Sequence, residues 1–267
     1  MSIGPDAARY LHRGISGSVP RPFNMRWLLP AVCGRHLRRW WVVYALSWPL
    51  LAVSAFAWQA DKGWQVAAST VVLLVALPGI LGPSVVAPVG VDLPSSALAL
   101  AGVALWPHCW PLALACVCLA TFAKETAPVF VALWLWNPLP LLLLTLPLAA
   151  HQLIPPGPDP LGPKFQLIAD HPIKASLQHH AGRWRDGWLM VAPWGVCLAA
   201  LYAPDWRLLL VLAVAYGQLL IATDSVRLYQ HAAGPVMAAM AAQVIPYQFL
   251  PLALVAHVVW WRTPERI

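Results

Sequence analysis

The sequence predicts an all-α, polytopic integral membrane bundle of about eight transmembrane helices, some short or kinked, with one further amphipathic helix on the membrane surface. Three observations predict it. The 267 residues are 60% hydrophobic and 10% charged, whereas a soluble domain carries roughly 25% charged residues. The 16 Trp tend to close apolar runs, as at Trp40, Trp58, Trp64, Trp106, Trp110 and Trp136, which is where an amphipathic ring meets the lipid headgroups. The 27 Pro imply kinked or interrupted spans, tolerated where protein or water satisfies the freed carbonyls.

The elements follow in order. Residues 1–39 read as a polar, basic, loop-like segment with room for a short helix. Arg9, Arg13, Arg21, Arg26, Arg35, Arg38 and Arg39 stand there against Asp6, much of the net +7 charge. That excess reads as a positive-inside signal, and with no soluble module behind it a nucleic-acid partner is excluded. No cleavable signal peptide is read, because the early apolar run Trp27 to Cys33 is short and follows many polar residues.

A first helix group occupies residues 40–154. It begins with Trp40 to Trp58, turns at residues 59–63 and returns from Trp64 to about Leu81. Residues 82–94 (GPSVVAPVGVDLP) read as a loop or re-entrant segment. Ser95 to Trp106, Trp110 to Ala123, Ala127 to Trp136 and Leu139 to Ile154 follow, several of them short of the roughly 20 residues a perpendicular crossing needs.

Residues 155–187 form a Pro-rich loop (PPGPDPLGP, 155–163) and the amphipathic helix. There Ile173, Leu177, Ala181, Trp184 and Trp188 recur at helical spacing among Lys174, His179, His180, Arg183, Arg185 and Asp186. The second helix group, 188–267, has spans at 188–202, 206–221, 232–244 and 249–261. The cysteines, Cys33, Cys109, Cys116, Cys118 and Cys197, match no zinc or redox spacing and read as small hydrophobes. No metal ligand is assigned; a divalent cation is compatible with the acids but required by none of them.

Four polar clusters interrupt this background. The sharpest is Lys124-Glu125 inside Trp110 to Trp136, since a charge at a span centre costs roughly 2.5–3.5 kcal/mol. Adjacent helical positions do not face each other, so the two residues need different partners. Asp92 stands three residues before Ser95, as a helix-start residue does. Asp6, Arg9, Tyr10 and Arg13 precede Arg21-Pro22-Phe23 and Arg26. Asp224, Arg227 and His231 fall at i, i+3 and i+7, which places them on one face of a helix.

These clusters, in this order, resemble the polytopic glycosyltransferases of the C superfamily. The likeness rests on an acid, Asp6, then Tyr10, a glycine (Gly14 or Gly17) and Pro22-Phe23-x-x-Arg26-x-Leu28-x-Pro30. It continues through Asp92, Lys124-Glu125-Thr126, and Asp224-x-x-Arg227 ahead of Pro235. The resemblance implies transfer of a sugar from a polyprenyl-phosphate donor in a bacterial cell membrane, with membrane lipids as surroundings. It makes Asp6 the general base on the acceptor hydroxyl, with Glu125 and Asp224 as the other catalytic acids. Arg26, Lys124 and Arg227 would hold the lipid phosphate, and Asp92 and Tyr10 would complete the substrate site.

In three respects the chain departs from that family, one being that the family is usually longer and often carries a soluble domain. The family places a transmembrane helix before its catalytic loop, so this chain is expected to be a reduced relative or one whose start lies upstream. The family also puts that loop outside, whereas the arginines argue for inside. Two other functions fit the same charges: a transporter or channel component with Lys124, Glu125, Asp224 and Arg227 along its path, or a non-catalytic membrane scaffold in which the charges pair internally.

Overall fold

The computed structural model describes residues 5–16, 18–20, 22–86, 88–162, 171–181, 188–202, 204–222 and 226–261, and among these every regular element is helical. In chain order they are α1 (Pro5–Ser16), α2 (Leu28–Cys33), α3 (Leu37–Gln59), α4 (Trp64–Ala76), α5 (Pro78–Val86), α6 (Asp92–Leu105), α7 (Trp110–Ala123), α8 (Ala127–Leu135) and α9 (Thr145–Leu153). After the Pro-rich loop come α10 (Pro172–His180), α11 (Trp188–Val191), a 3-10 segment (Ala192–Tyr202), α12 (Trp206–Gly217), α13 (Val226–Val244) and α14 (Leu250–Trp261).

One stretch, α3 with its 3-10 extension (Leu37–Lys62, 26 residues), is long and apolar enough to cross a membrane, and a third of its apolar window (33%) is buried. Among the described residues, six further apolar helical stretches run to 10–17 residues, short of a full crossing. Proline explains several of the breaks. Leu77 is extended (φ −59°, ψ 128°) because the residue before Pro78 is pushed out of the α region. The single run expected from Trp64 to about Leu81 is therefore two helices.

The chain forms two compact units, residues 1–51 with 86–172 and residues 52–85 with 173–267. In the first, α6 and α7 pack closely through small residues. Ala113, Val117 and Ala120 form the buried stripe of α7, while Leu112 and Leu119 on its other face are 51% and 43% exposed. Gly102 lets the helices approach, since a Cβ there would lie 2.6 Å from Val117 Cγ2. Ser95 Oγ bonds Ala120 O at 3.1 Å across the same contact.

The N-terminal segment, read as loop-like with room for a short helix, is more helical and more packed than that. It holds α1 and α2 and a hydrophobic core of Ala7, Tyr10, Val19, Phe23, Leu29, Cys33 and Trp40, joined by Val89, Val91 and Ala123. Ala7, Tyr10 and Leu11 recur on one face of α1, so the helix is amphipathic in spite of its arginines. Trp40, read as an interfacial ring, is fully buried and donates to Gly34 O at 3.0 Å, while Trp41 is 50% exposed. The loop read at 82–94 is also shorter, because α5 continues to Val86 and α6 begins at Asp92.

The second unit is tied by buried polar groups. Gln230 on α13 accepts from Gly79 N at 2.6 Å and donates to Pro193 O at 2.7 Å. Trp194 donates to Tyr216 OH at 2.8 Å, and Tyr216 stacks on Tyr229 with centroids 4.9 Å apart. On α10, Ser176 Oγ and the His180 ring meet Ala222 O, each at 2.9 Å. They cap the carbonyls beyond α12, while Ile173 and Leu177 are 57% and 51% exposed.

Candidate functional site

The site is a polar centre in the first unit. α7 ends at Ala123, and Lys124 is extended (φ −149°, ψ 120°). Pro128 lies in the first turn of α8, a position a proline suits. The charged pair thus occupies a break between two apolar helices, and its members turn to different partners. Lys124 Nζ donates to Asp92 Oδ1 at 2.5 Å, with Asp92 in the first turn of α6. Glu125 receives Arg26 through Nε–Oε2 at 2.7 Å and Nη2–Oε1 at 2.6 Å, the bidentate fork that only a guanidinium offers a carboxylate.

Arg26 also donates Nη1 to the Tyr10 hydroxyl at 2.9 Å. Burial by itself weakens the Arg26 cation, but the facing Glu125 carboxylate and Tyr10 oxygen hold its pKa well above the ordinary guanidinium value. Burial pushes the Tyr10 phenol up, with Asp6 and Asp92 adding to the rise and Arg26 opposing it. Tyr10 therefore stays a neutral phenol whose oxygen accepts from Arg26, and it feels the charges of Arg26, Asp6 and Asp92 together.

A second layer closes the centre. Arg9 donates Nε and Nη2 to Asp159 Oδ2 at 3.0 and 2.8 Å, and Nη1 to Asp6 Oδ1 at 3.3 Å. Two guanidiniums stand over the Phe23 ring, with Arg9 Cζ 4.9 Å and Arg26 Cζ 5.4 Å from its centroid. Arg13 donates to Phe23 O at 3.1 Å. Asn24 Nδ2 donates to Ile154 O at 3.0 Å, and Gly157 N bonds Val19 O at 2.9 Å. These last contacts strap the Pro-rich loop onto the N-terminal segment.

Of the residues singled out from sequence, Asp6, Tyr10, Arg26, Asp92, Lys124 and Glu125 come together here. Arg227 belongs to the second unit, on α13 with His231. Asp224 lies outside the described residues. Arg9 carried a local signal, since it stands at i+3 from Asp6. Asp159 carried none, because its partner is 150 residues away and its neighbours are a proline-rich loop.

Among the acids in these ion pairs, Asp6 has the most exposed side chain, 32%, against 20% for Glu125, 12% for Asp92 and 2% for Asp159. Asp6 is thus the carboxylate most open to an incoming group. Among the described residues no group of three or more His, Cys, Asp or Glu gathers as a metal site. No protein-family model, curated protein or solved structure matches this chain.

Proposed function

We propose that this chain is a multi-pass protein of a bacterial cell membrane and that its polar centre transfers a sugar from a polyprenyl-phosphate donor to an acceptor hydroxyl. Membrane residence is supported by the outward apolar stripes on short helices as well as long ones. Val42, Leu46 and Val53 on α3 are 57%, 65% and 67% exposed, and Leu209 on α12, Leu252 and Val255 on α14 are 54%, 68% and 64% exposed. Contiguous apolar surface of this kind is rare on soluble monomers and is solvated by a bilayer. Short helices joined across a break, as α7 and α8 are, would supply the remaining spans.

The observation that carries the transferase reading is the convergence of Asp6, Tyr10, Arg26, Asp92, Lys124 and Glu125 from separate segments, with Asp6 the most accessible of the three acids among them. In this reading the acceptor oxygen attacks the anomeric carbon and the Asp6 carboxylate takes its proton. The bond from that carbon to the phosphate oxygen breaks, and the lipid phosphate leaves with the electron pair beside the cations of the centre. Arg26 and Lys124 already face carboxylates, so their part is to hold the centre in register while lending their remaining donors to the phosphate.

A membrane scaffold is the second reading, favoured by the pairing of Arg26 with Glu125, Lys124 with Asp92, and Arg9 with Asp159. Transfer of labelled hexose from a polyprenyl-phosphate donor by the reconstituted protein separates the two. The transferase reading expects Asp6→Asn to abolish transfer at unchanged membrane abundance. Full transfer by that variant removes Asp6 from the chemistry. No transfer by the wild type, together with lost abundance in Glu125→Gln, leaves the scaffold.

A further inference from the structure

We infer that Arg35, Arg38 and Arg39 form a binding site for the phosphates of anionic lipid headgroups at the start of the membrane-crossing helix α3. All three are exposed, and among the described residues none is in an ion pair with a carboxylate. They therefore differ from Arg9 and Arg26, whose charges are spent inside the polar centre. Arg38 and Arg39 occupy the first turn of α3, and Arg35 precedes it by two residues.

The turn that presents them is fixed from beneath. Gly34 adopts φ +54°, and its carbonyl accepts from the fully buried Trp40 at 3.0 Å. Gly14 of α1 packs so closely that a Cβ there would lie 2.6 Å from Gly34 C. Arg39 Nη1 donates to Val32 O at 3.4 Å, which steadies one of the three heads. Around the cations lies apolar surface, with Val32 52%, Leu37 45%, Trp41 50% and Val42 57% exposed. Arginine heads above an exposed Trp and aliphatic residues match the headgroup level of a bilayer, with phosphates above and acyl chains below.

The ligand class follows from the chemistry. A guanidinium fork pairs with phosphate oxygens, and a cation beside an anionic membrane surface gains about a factor of five in affinity, so three together gain roughly 100-fold. The adjoining apolar surface favours a phosphate that carries acyl chains over inorganic phosphate. The inference rests on insertion of α3 and is independent of the transferase reading.

The test uses the full chain purified in a nonionic detergent and offered equimolar phosphatidylglycerol and phosphatidylcholine, with the co-eluting lipid quantified by mass spectrometry. The wild type is expected to enrich phosphatidylglycerol several-fold. Arg35→Gln/Arg38→Gln/Arg39→Gln is expected to return the ratio to that of the mixture, whereas the corresponding triple Lys variant keeps much of the enrichment because it keeps the charge. Lys62→Gln, at the far end of the same apolar stretch, is expected to change nothing. Equal retention of both lipids by the wild type, or unchanged enrichment in the Gln variant, overturns the proposal. Complete displacement of the lipid by inorganic phosphate overturns it as well, since the site would then read a soluble anion.

Discussion

Arg26 and Glu125 stand 99 residues apart in the chain and meet through two parallel hydrogen bonds of 2.7 and 2.6 Å. The contact joins the basic N-terminal segment to the break between α7 and α8, two regions with little in common in composition. Neither charge is tolerable there without the other. The guanidinium would lose its counterion beside the Phe23 ring, and the carboxylate would be left in the gap between two apolar helices.

This pairing makes a double-mutant prediction. Breaking one side of a largely buried ion pair costs about 3–5 kcal/mol, while replacing both sides with apolar residues of similar size is often neutral. Arg26→Met and Glu125→Leu are each expected to lower stability by that amount in detergent unfolding. The double variant is expected to recover most of it. A double variant no better than the worse single one would show that each residue has a larger obligation than to the other.

Much of the helical layout was legible because sharp residues mark its ends. Trp110 opens α7, and the charges after Ala123 close it. Basic residues open α3, and Gly63 with φ 102° follows its 3-10 extension. That Lys124 and Glu125 have different partners was legible too, although the helical spacing behind that expectation does not hold, since the pair sits in the break after α7 with Lys124 extended. What stayed hidden was long-range. The arginine density of residues 1–39 masked the apolar face of α1, and nothing local marks Asp159 as the partner of Arg9. Trp40 and Trp41 are alike in sequence, and only the α1–α2 packing decides which one turns inward.

The packing of that N-terminal segment can be tested at Gly14. Alanine in a helix interior normally gains up to about 1 kcal/mol over glycine. Here its Cβ would meet the Gly34 backbone at 2.6 to 2.9 Å, and backbone cannot rotate away, so overpacking of about 1–3 kcal/mol should win. Gly14→Ala is therefore expected to be destabilising. A stabilised variant would mean that α1 and α2 do not touch at these glycines.

In the second unit the equivalent test is Gln230. Its amide serves a backbone N–H at Gly79 and a backbone C=O at Pro193 from a fully buried position. Gln230→Leu keeps the volume and strands both groups, each at about 1–3 kcal/mol. The expected outcome is a loss of about 2–4 kcal/mol, read from the denaturation midpoint, with the polar centre of the first unit intact. A neutral result would show that Gly79 and Pro193 find other partners.

The last prediction concerns Cys33, which ends α2 inside the N-terminal core and is fully buried. Burial pushes its thiol up to about 11, with the Arg39 charge opposing part of the rise. At pH 8 its thiolate fraction is then on the order of one in a thousand, and the surrounding core also blocks access. Cys109, at the start of α7, is exposed. Maleimide at pH 8 followed by peptide mass spectrometry is expected to label Cys109 quickly and Cys33 only after denaturation. Raising the pH toward 11 in the folded state should add little at Cys33, because deprotonation does not open the core. Fast labelling of Cys33 in the folded protein would place α2 outside that core. The rigid turn at Gly34, and with it the fixed presentation of Arg35, Arg38 and Arg39, would then lose its support.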